Sequence, residues 1–357
     1  MSKHTYHILG VMSGTSLDGI DLAEVFFTLE NRRWTYTFGV SETLPYPDTW
    51  LHRLQVALHY SPLELQQLNQ DYTAYLGGVI AAFIRTHRLQ ALDAVCSHGH
   101  TILHQPQNGY TLQIGNLPEI ASYCQQTVVC DFRVQDVERG GQGAPLVPIG
   151  DRMLFSAYTY CLNLGGFSNV SFEHQQHRIA FDISPVNTVL NHYAVQLGMA
   201  YDAGGERAAG GTLSPELLDA LNGLEYYTQP FPKSLGVEFV REKVLPLMQR
   251  FNPAPEDALR TFVEHIAQQI ARALPLAQGR LLITGGGAYN HFLLQRMQAY
   301  LPEMTLIVPD NTTLEFKEAL IFGLLGVLRL REEINVLSSV TGAHDDHCSG
   351  KVYPWKG

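Results

Sequence analysis

Residues 11–21 read VMSGTSLDGID and place two glycines, three hydroxyl side chains and two carboxylates between two apolar runs. Before them His7-Ile8-Leu9-Gly10-Val11 has the continuous apolar character of a buried strand, and after them Ile20-Asp21-Leu22-Ala23-Glu24-Val25-Phe26-Phe27 alternates loosely as a second. The segment between them is therefore a hairpin turn. Gly14 and Gly19 can take φ > 0 and let backbone N–H groups approach a ligand, while Ser13, Thr15 and Ser16 supply further donors. Asp18 suits a magnesium ion or its water shell better than a bare phosphate. Two readings stand: a loop rich in turn formers, the commoner fate of such strings, and a turn that holds an anion.

Working outward, a third strand over Thr35 to Thr43 ends at Pro45, and Ser61-Pro62-Leu63-Glu64 is a capping box that launches a long helix towards Arg88. Ala94-Val95-Cys96 reads as a short buried strand delivering Ser97, His98, Gly99 and His100 to its end, where ligands sit in open α/β sheets. The two histidines are either bonded to nearby backbone or ligand contacts. A metal site with His104 is the weakest option, since no cysteine or carboxylate stands at ligand spacing. Thr127 to Cys130 is a further strand running into Asp131-Phe132-Arg133. Arg133 is either a clamp for a sugar carboxylate or a phosphate, or half of a surface pair with Asp131.

Tyr158 to Phe172 repeats the opening theme, two strands joined by a turn on Gly165 and Gly166, which implies two related lobes. Phe181-Asp182-Ile183-Ser184-Pro185 puts a carboxylate at the end of an apolar strand just before a helix. That place suits a general base in Asp182 or an N-terminal cap by Ser184 or Asp182 with Pro185 in the first helical turn, and both hold if Ser184 caps while Asp182 points into the cleft. Leu281 to Thr284 is an apolar strand ending on Gly285, Gly286 and Gly287, followed by a helix led by Asn290. Glycines at such a turn let a flat ring or a phosphate lie on backbone, and the absence of a GxGxxG string favours an adenosine pocket over a dinucleotide site. Glu318, on a mostly apolar helix over Leu314 to Leu330, reads by itself as a solvent-face carboxylate.

At 357 residues the chain is long enough for two lobes with separate cores. A net charge of −10 with no basic stripe argues against a nucleic-acid backbone as the main partner. Five cysteines without a CxxC pair fit a reducing compartment, and no apolar run is long enough for a membrane span, so a cytoplasmic protein is expected.

The string GVMSGTSLDGID resembles the opening signature of the anhydro-N-acetylmuramic acid kinases. The resemblance continues in order through SHGHT at 97–101, LQIGN at 112–116, CDFRVQDVERGGQGAPLVP at 130–148, LNLGGFSNV at 162–170, GGGAYN at 285–290, KEALIFG at 317–323 and SVTGA at 339–343. It implies an α/β, two-lobed actin-like (ribonuclease H-like) sugar kinase fold with an interlobe cleft. Residues 1–150 would form the N-terminal lobe and 151–357 the C-terminal lobe, the last helix packing back across the two. It further implies an ATP-dependent kinase that hydrolytically opens 1,6-anhydro-N-acetylmuramic acid and phosphorylates O6 in peptidoglycan recycling, with ATP and Mg2+ as cofactors and a homodimer as the assembly.

On that resemblance Ser13, Gly14, Thr15, Ser16, Leu17, Asp18, Gly19, Ile20 and Asp21 would hold the ATP phosphates, with Asp18 serving the metal. Gly165 and Gly166 would close from the other lobe, and Gly285, Gly286, Gly287 and Asn290 would receive adenosine. Asp182 would be the base, and His98, Arg133 and Glu318 sugar contacts. The chain departs from the family strings FDTGPGN and YDADG, having Ile183, Ser184, Val186 and Gly204 instead. A kinase for a sugar without the lactyl group, such as levoglucosan, and a non-catalytic nucleotide-gated sensor are the alternatives.

Overall fold

The first apolar run becomes β1 (Thr5–Ser13), and the turn after it returns as β2 (Ile20–Glu30) and then β3 (Arg33–Leu44), all antiparallel. The computed structural model describes residues 3–14 and 17–357, so Thr15 and Ser16 lie outside the described residues. β4 (Ala94–Gln105) pairs parallel with β1, and β6 (Val128–Cys130) pairs parallel with β4. β5 (Tyr110–Ile114) folds back antiparallel on β4, and β12 (Lys351–Tyr353) covers the edge of β6.

The second half repeats this plan. β7 (Tyr160–Leu164), β8 (Phe167–His174) and β9 (His177–Pro185) are antiparallel, and β10 (Gly279–Thr284) and β11 (Met304–Ile307) add in parallel on the β7 side. The orders β3-β2-β1-β4-β6 and β9-β8-β7-β10-β11 are one topology used twice. Two related lobes are thus present as two α/β units. The first comprises Met1–Leu154 with Phe316–Gly357, the second Phe155–Glu315. The sequence reading has 151–357 as the C-terminal lobe with the last helix packing back across the two; in the structure the division falls within the helix Asn311–Leu330, and Phe316–Gly357 groups with the first unit.

Each parallel connection passes through at least one helix, because parallel strands need a crossover. Pro62–His87 bridges β3 to β4 and starts as expected, with Ser61 N–H donating to Glu64 Oε2 at 2.7 Å and Ser61 Oγ accepting from Glu64 N–H. The helix Asn311–Leu330 is capped by Asp310, whose Oδ1 accepts from Thr313 N–H at 2.9 Å. It then rides on the first sheet through small residues: a Cβ on Gly10 would lie 2.1 Å from the Ala319 carbonyl oxygen, and one on Gly326 would meet Cys96 Sγ. Backbone-to-backbone approach of this kind requires glycine, and it fixes the neighbouring Glu318 relative to β1.

One strand is longer than expected. Ala94-Val95-Cys96 does not end at Ser97 but continues to Gln105, with Gly99 at φ +73° forming an irregularity where β4 leaves β1 and takes β5 as partner. His98 and His100 therefore sit inside a strand.

Candidate active site

In the first unit the opening turn contains Gly14, whose carbonyl accepts from Leu17 N–H at 3.3 Å, Leu17 at φ 62°, and an exposed Asp18. Gly19 closes the turn where a Cβ would lie 2.7 Å from the Leu44 carbonyl oxygen. Ile20 is fully buried, and Asp21 accepts from Thr43 Oγ1 at 2.6 Å. Ser13 departs from its expected use as a ligand donor. Its side chain is 1% exposed and lies 2.5 Å from Tyr46 OH, 2.8 Å from Tyr72 OH and 2.9 Å from His100 Nδ1. These partners hold the end of β1 and engage the Ser13 hydroxyl, so that Ser13 offers the turn its backbone. Burial pushes the His100 pKa down to about 4, so it serves there as a neutral ring.

The three expected sugar contacts come together in the same unit. His98 Nδ1 lies 2.8 Å from the Gly99 carbonyl, an acceptor only, so Nδ1 carries the proton and Nε2 accepts the Arg133 Nε–H at 2.8 Å. Burial, followed by the Arg133 charge, holds His98 well below its usual range, consistent with this neutral tautomer. Arg133 Nη1 donates to the Gly143 carbonyl at 2.7 Å, leaving Nη2 for a ligand. The surface pair with Asp131 does not form; Asp131 bonds Lys351 at 2.7 Å instead. Burial lowers the Arg133 pKa to about 10 while Glu318 and Asp136 pull it back up. Glu318 is reached by solvent, yet desolvation by the surrounding protein raises its carboxyl above the usual range against Arg133 and Lys317. Phe322, one turn further along that helix, packs on His98 with ring centroids 4.7 Å apart.

In the second unit Asp182 lies within β9, half-buried, and is gripped by the 225–236 segment. Leu235 N–H donates to Asp182 Oδ2 at 2.8 Å, Asp182 N–H donates to the Lys233 carbonyl at 3.0 Å, and Tyr226 OH donates to the Asp182 carbonyl at 2.5 Å. Burial raises the Asp182 carboxyl above the usual carboxylate range, outweighing the Leu235 bond that favours the ionised form. Oδ1 is thereby the oxygen left to take a proton.

The expected Ser184 cap is not formed. β9 runs on to Pro185, and Ser184 is fully buried with its N–H donating to Ser168 Oγ at 3.1 Å across the β8–β9 pairing. The following helix, Asn187–Gln196, begins with no side-chain cap. Its first turn docks instead on the β7–β8 tip: Val186 N–H and Thr188 Oγ1 both donate to the Gly166 carbonyl at 2.8 Å, and Asn187 N–H donates to that of Gly165 at 3.2 Å.

The triple glycine divides its labour. Gly285 stands at φ +82°, with a Cβ predicted 2.6 Å from Asn163 Oδ1, and Gly287 would place one 2.7 Å from Leu164 Cβ; both are packing positions. Gly286 has nothing closer than 3.7 Å and opens on a cavity of about 310 Å³. Asn187, Leu190, Tyr201, Asp202 and Gly204 line it together with Asn290. Asn290 caps its helix by accepting Leu293 N–H at 2.9 Å, and Asp202 caps another by accepting from Arg207 and Ala208 N–H, both at 2.9 Å. The structure puts Tyr201, Asp202 and Gly204 of the divergent YDAGG string on this cavity, and Lys233 and Leu235, which no sequence signal singled out, on Asp182. Among the described residues no group of three or more His, Cys, Asp or Glu side chains is placed to hold a metal ion.

Two α/β units of one strand order, each turning its first hairpin on glycines, are the build of a two-lobed sugar kinase. The comparisons make this specific: a family profile described as anhydro-N-acetylmuramic acid kinase matches residues 6–355. The anhydro-N-acetylmuramic acid kinase of Actinobacillus pleuropneumoniae serotype 5b (strain L20) is 36% identical, covering 99% of this chain and 100% of its own. That of Pasteurella multocida (strain Pm70) is 34% identical, over 99% and 98%. The chain belongs to the anhydro-N-acetylmuramic acid kinase family and is an ATP-dependent sugar kinase. A solved xylulose kinase from Rhodospirillum rubrum aligns over 90% of each chain at 10% identity and a TM-score of 0.44, so the assignment rests on the sequence matches.

Proposed function

We propose that the chain uses ATP and water to convert 1,6-anhydro-N-acetylmuramic acid into N-acetylmuramic acid 6-phosphate, with Asp182 as general base. The observation that carries the role of Asp182 is its carboxylate, tied at one oxygen by the Leu235 N–H, partly desolvated and free at the other. A base needs a raised pKa and a fixed lone pair, and both are present. Oδ1 takes a proton from water as the water oxygen bonds to C1. The C1–O6 bond breaks, and the released O6 bonds to the γ-phosphorus while the bond to ADP breaks. The proton leaves Asp182 for solvent afterwards.

The remaining residues position and neutralise. Arg133, oriented by His98 and Gly143, offers Nη2 to the lactyl carboxylate, and Glu318 accepts from a sugar hydroxyl. The opening turn around Gly14 to Asp18 and the tip at Gly165 and Gly166 take the phosphates. The cavity under Gly286 takes adenosine. A magnesium ion fits this set, because one carried by ATP phosphates needs only one or two protein carboxylates, and Asp18 stands exposed on the phosphate turn. When bound it would neutralise phosphate charge. No described helix is long and apolar enough to cross a membrane, and reliance on ATP supports a cytoplasmic location.

The test is ATP consumption with 1,6-anhydro-N-acetylmuramic acid, levoglucosan and N-acetylglucosamine, with products identified by mass. Phosphorylation of the first with addition of one water is expected. Preference for levoglucosan would overturn the carboxylate role of Arg133.

A further inference from the structure

Asp136 is fully buried and touches no candidate ligand site, yet its carboxylate contacts lead to Arg133 and to the C-terminal segment. Its Oδ2 accepts the Gly143 N–H at 2.6 Å, and Gly143 presents its carbonyl to Arg133 Nη1 at 2.7 Å. Its Oδ1 accepts from Thr341 Oγ1 at 2.7 Å, with His347 Nε2 at 3.6 Å. The Thr341 carbonyl accepts the Gln142 N–H at 2.8 Å, and Ser349 Oγ donates to the Phe132 carbonyl at 2.6 Å. The loop is shaped for these bonds. A Cβ on Gly141 would lie 2.2 Å from Asp136 Oδ2, and Gly143 stands at φ +69° against Val137 and the Arg133 backbone.

A surface glycine loop would be free to move, and an arginine held by one of its carbonyls would move with it. Here the carboxylate fixes the N–H of the same residue whose C=O orients the guanidinium. We infer that Asp136, tied down by Thr341 of the SVTGA string, is a positioning residue that sets Arg133 for a carboxylated sugar. The inference rests on the reading of Arg133 as the contact to the lactyl carboxylate.

Asp136→Ala and Thr341→Val are compared with Asp136→Asn, which keeps an acceptor for Gly143 and offers an amide N–H that Thr341 Oγ1 can accept. The KM for 1,6-anhydro-N-acetylmuramic acid should rise on the order of tenfold in the first two, the equivalent of one well-placed hydrogen bond. The KM for ATP and kcat should hold within about twofold, and Asp136→Asn should restore the parent KM. With 1,6-anhydro-N-acetylglucosamine, which lacks the carboxylate, the penalty should vanish. Hydrogen exchange of the Arg133 Nε–H, assigned by its loss in Arg133→Lys, provides a readout independent of substrate. It should be slow in the parent and in Asp136→Asn and fast in the other two. If Asp136→Ala does not fold, Thr341→Val carries both readouts. Unchanged exchange together with unchanged sugar KM in a folded variant would overturn the inference. Failure of the parent to bind any anhydro sugar would overturn the proposed function instead, and the exchange rates would still decide the role of Asp136.

Discussion

Asp182 can be separated from a structural carboxylate by two opposing effects of one substitution. Asp182→Asn keeps shape and an acceptor for Leu235 N–H but cannot take a proton, so kcat should fall by about 10²–10⁴ with ATP affinity retained. Because the folded pKa is raised, the ionised side chain costs stability at neutral pH; that cost is absent below the unfolded pKa and complete above the folded one. The variant should therefore unfold at the same temperature as the parent at pH 7, or higher, and a large loss measured by calorimetry would contradict this. The parent's kcat should fall as pH drops through a value above the ordinary aspartate range. Gly286 and Gly285 make a matched pair at this scale. Gly286→Val should weaken ATP binding by calorimetry while leaving the fold intact, since its Cβ enters the cavity. Gly285→Val should destabilise the unit, because it meets Asn163 and Leu164 at positive φ.

At the level of elements, the helices Pro255–Ala273 and His291–Tyr300 are joined by Glu264, which accepts from Arg296 Nε and Nη2, both at 2.8 Å, and from Arg260 at 2.6 Å and Tyr300 at 2.5 Å. Burial alone would raise its pKa, but these bonds together hold it down to about 2. A depressed folded pKa contributes stability above the unfolded value that is lost as pH falls towards 2. Glu264→Gln should cost on the order of 2 kcal/mol at pH 7, and the difference from the parent should shrink below pH 4 in denaturant titrations. The capping box of Pro62–His87 and the two glycine hairpins were legible in sequence because their signals are local. The length of β4 was not, because the left-handed Gly99 that lets it change partners from β1 to β5 is specified by tertiary pairing. The Ser184 cap failed for a similar reason: Ser168, across the sheet, claims that residue before the helix begins.

Over the whole molecule, the repeated strand order explains why two short glycine strings announced two lobes: each marks the first hairpin of one sheet. What stayed hidden was long-range. Nothing local to Phe316–Gly357 says that it belongs with the first unit, and Tyr226, Leu235, Asp136 and Thr341 reach their partners only across the fold. The proposed function is a single coupled reaction in which water opens the anhydro ring and O6 receives phosphate. It is tested most directly by turnover of ATP and 1,6-anhydro-N-acetylmuramic acid in ¹⁸O-labelled water, with prompt mass analysis of the product. The account predicts N-acetylmuramic acid 6-phosphate carrying one ¹⁸O at C1 and none in the phosphoryl group, with one ADP per sugar; label in free phosphate with the sugar unchanged would contradict it.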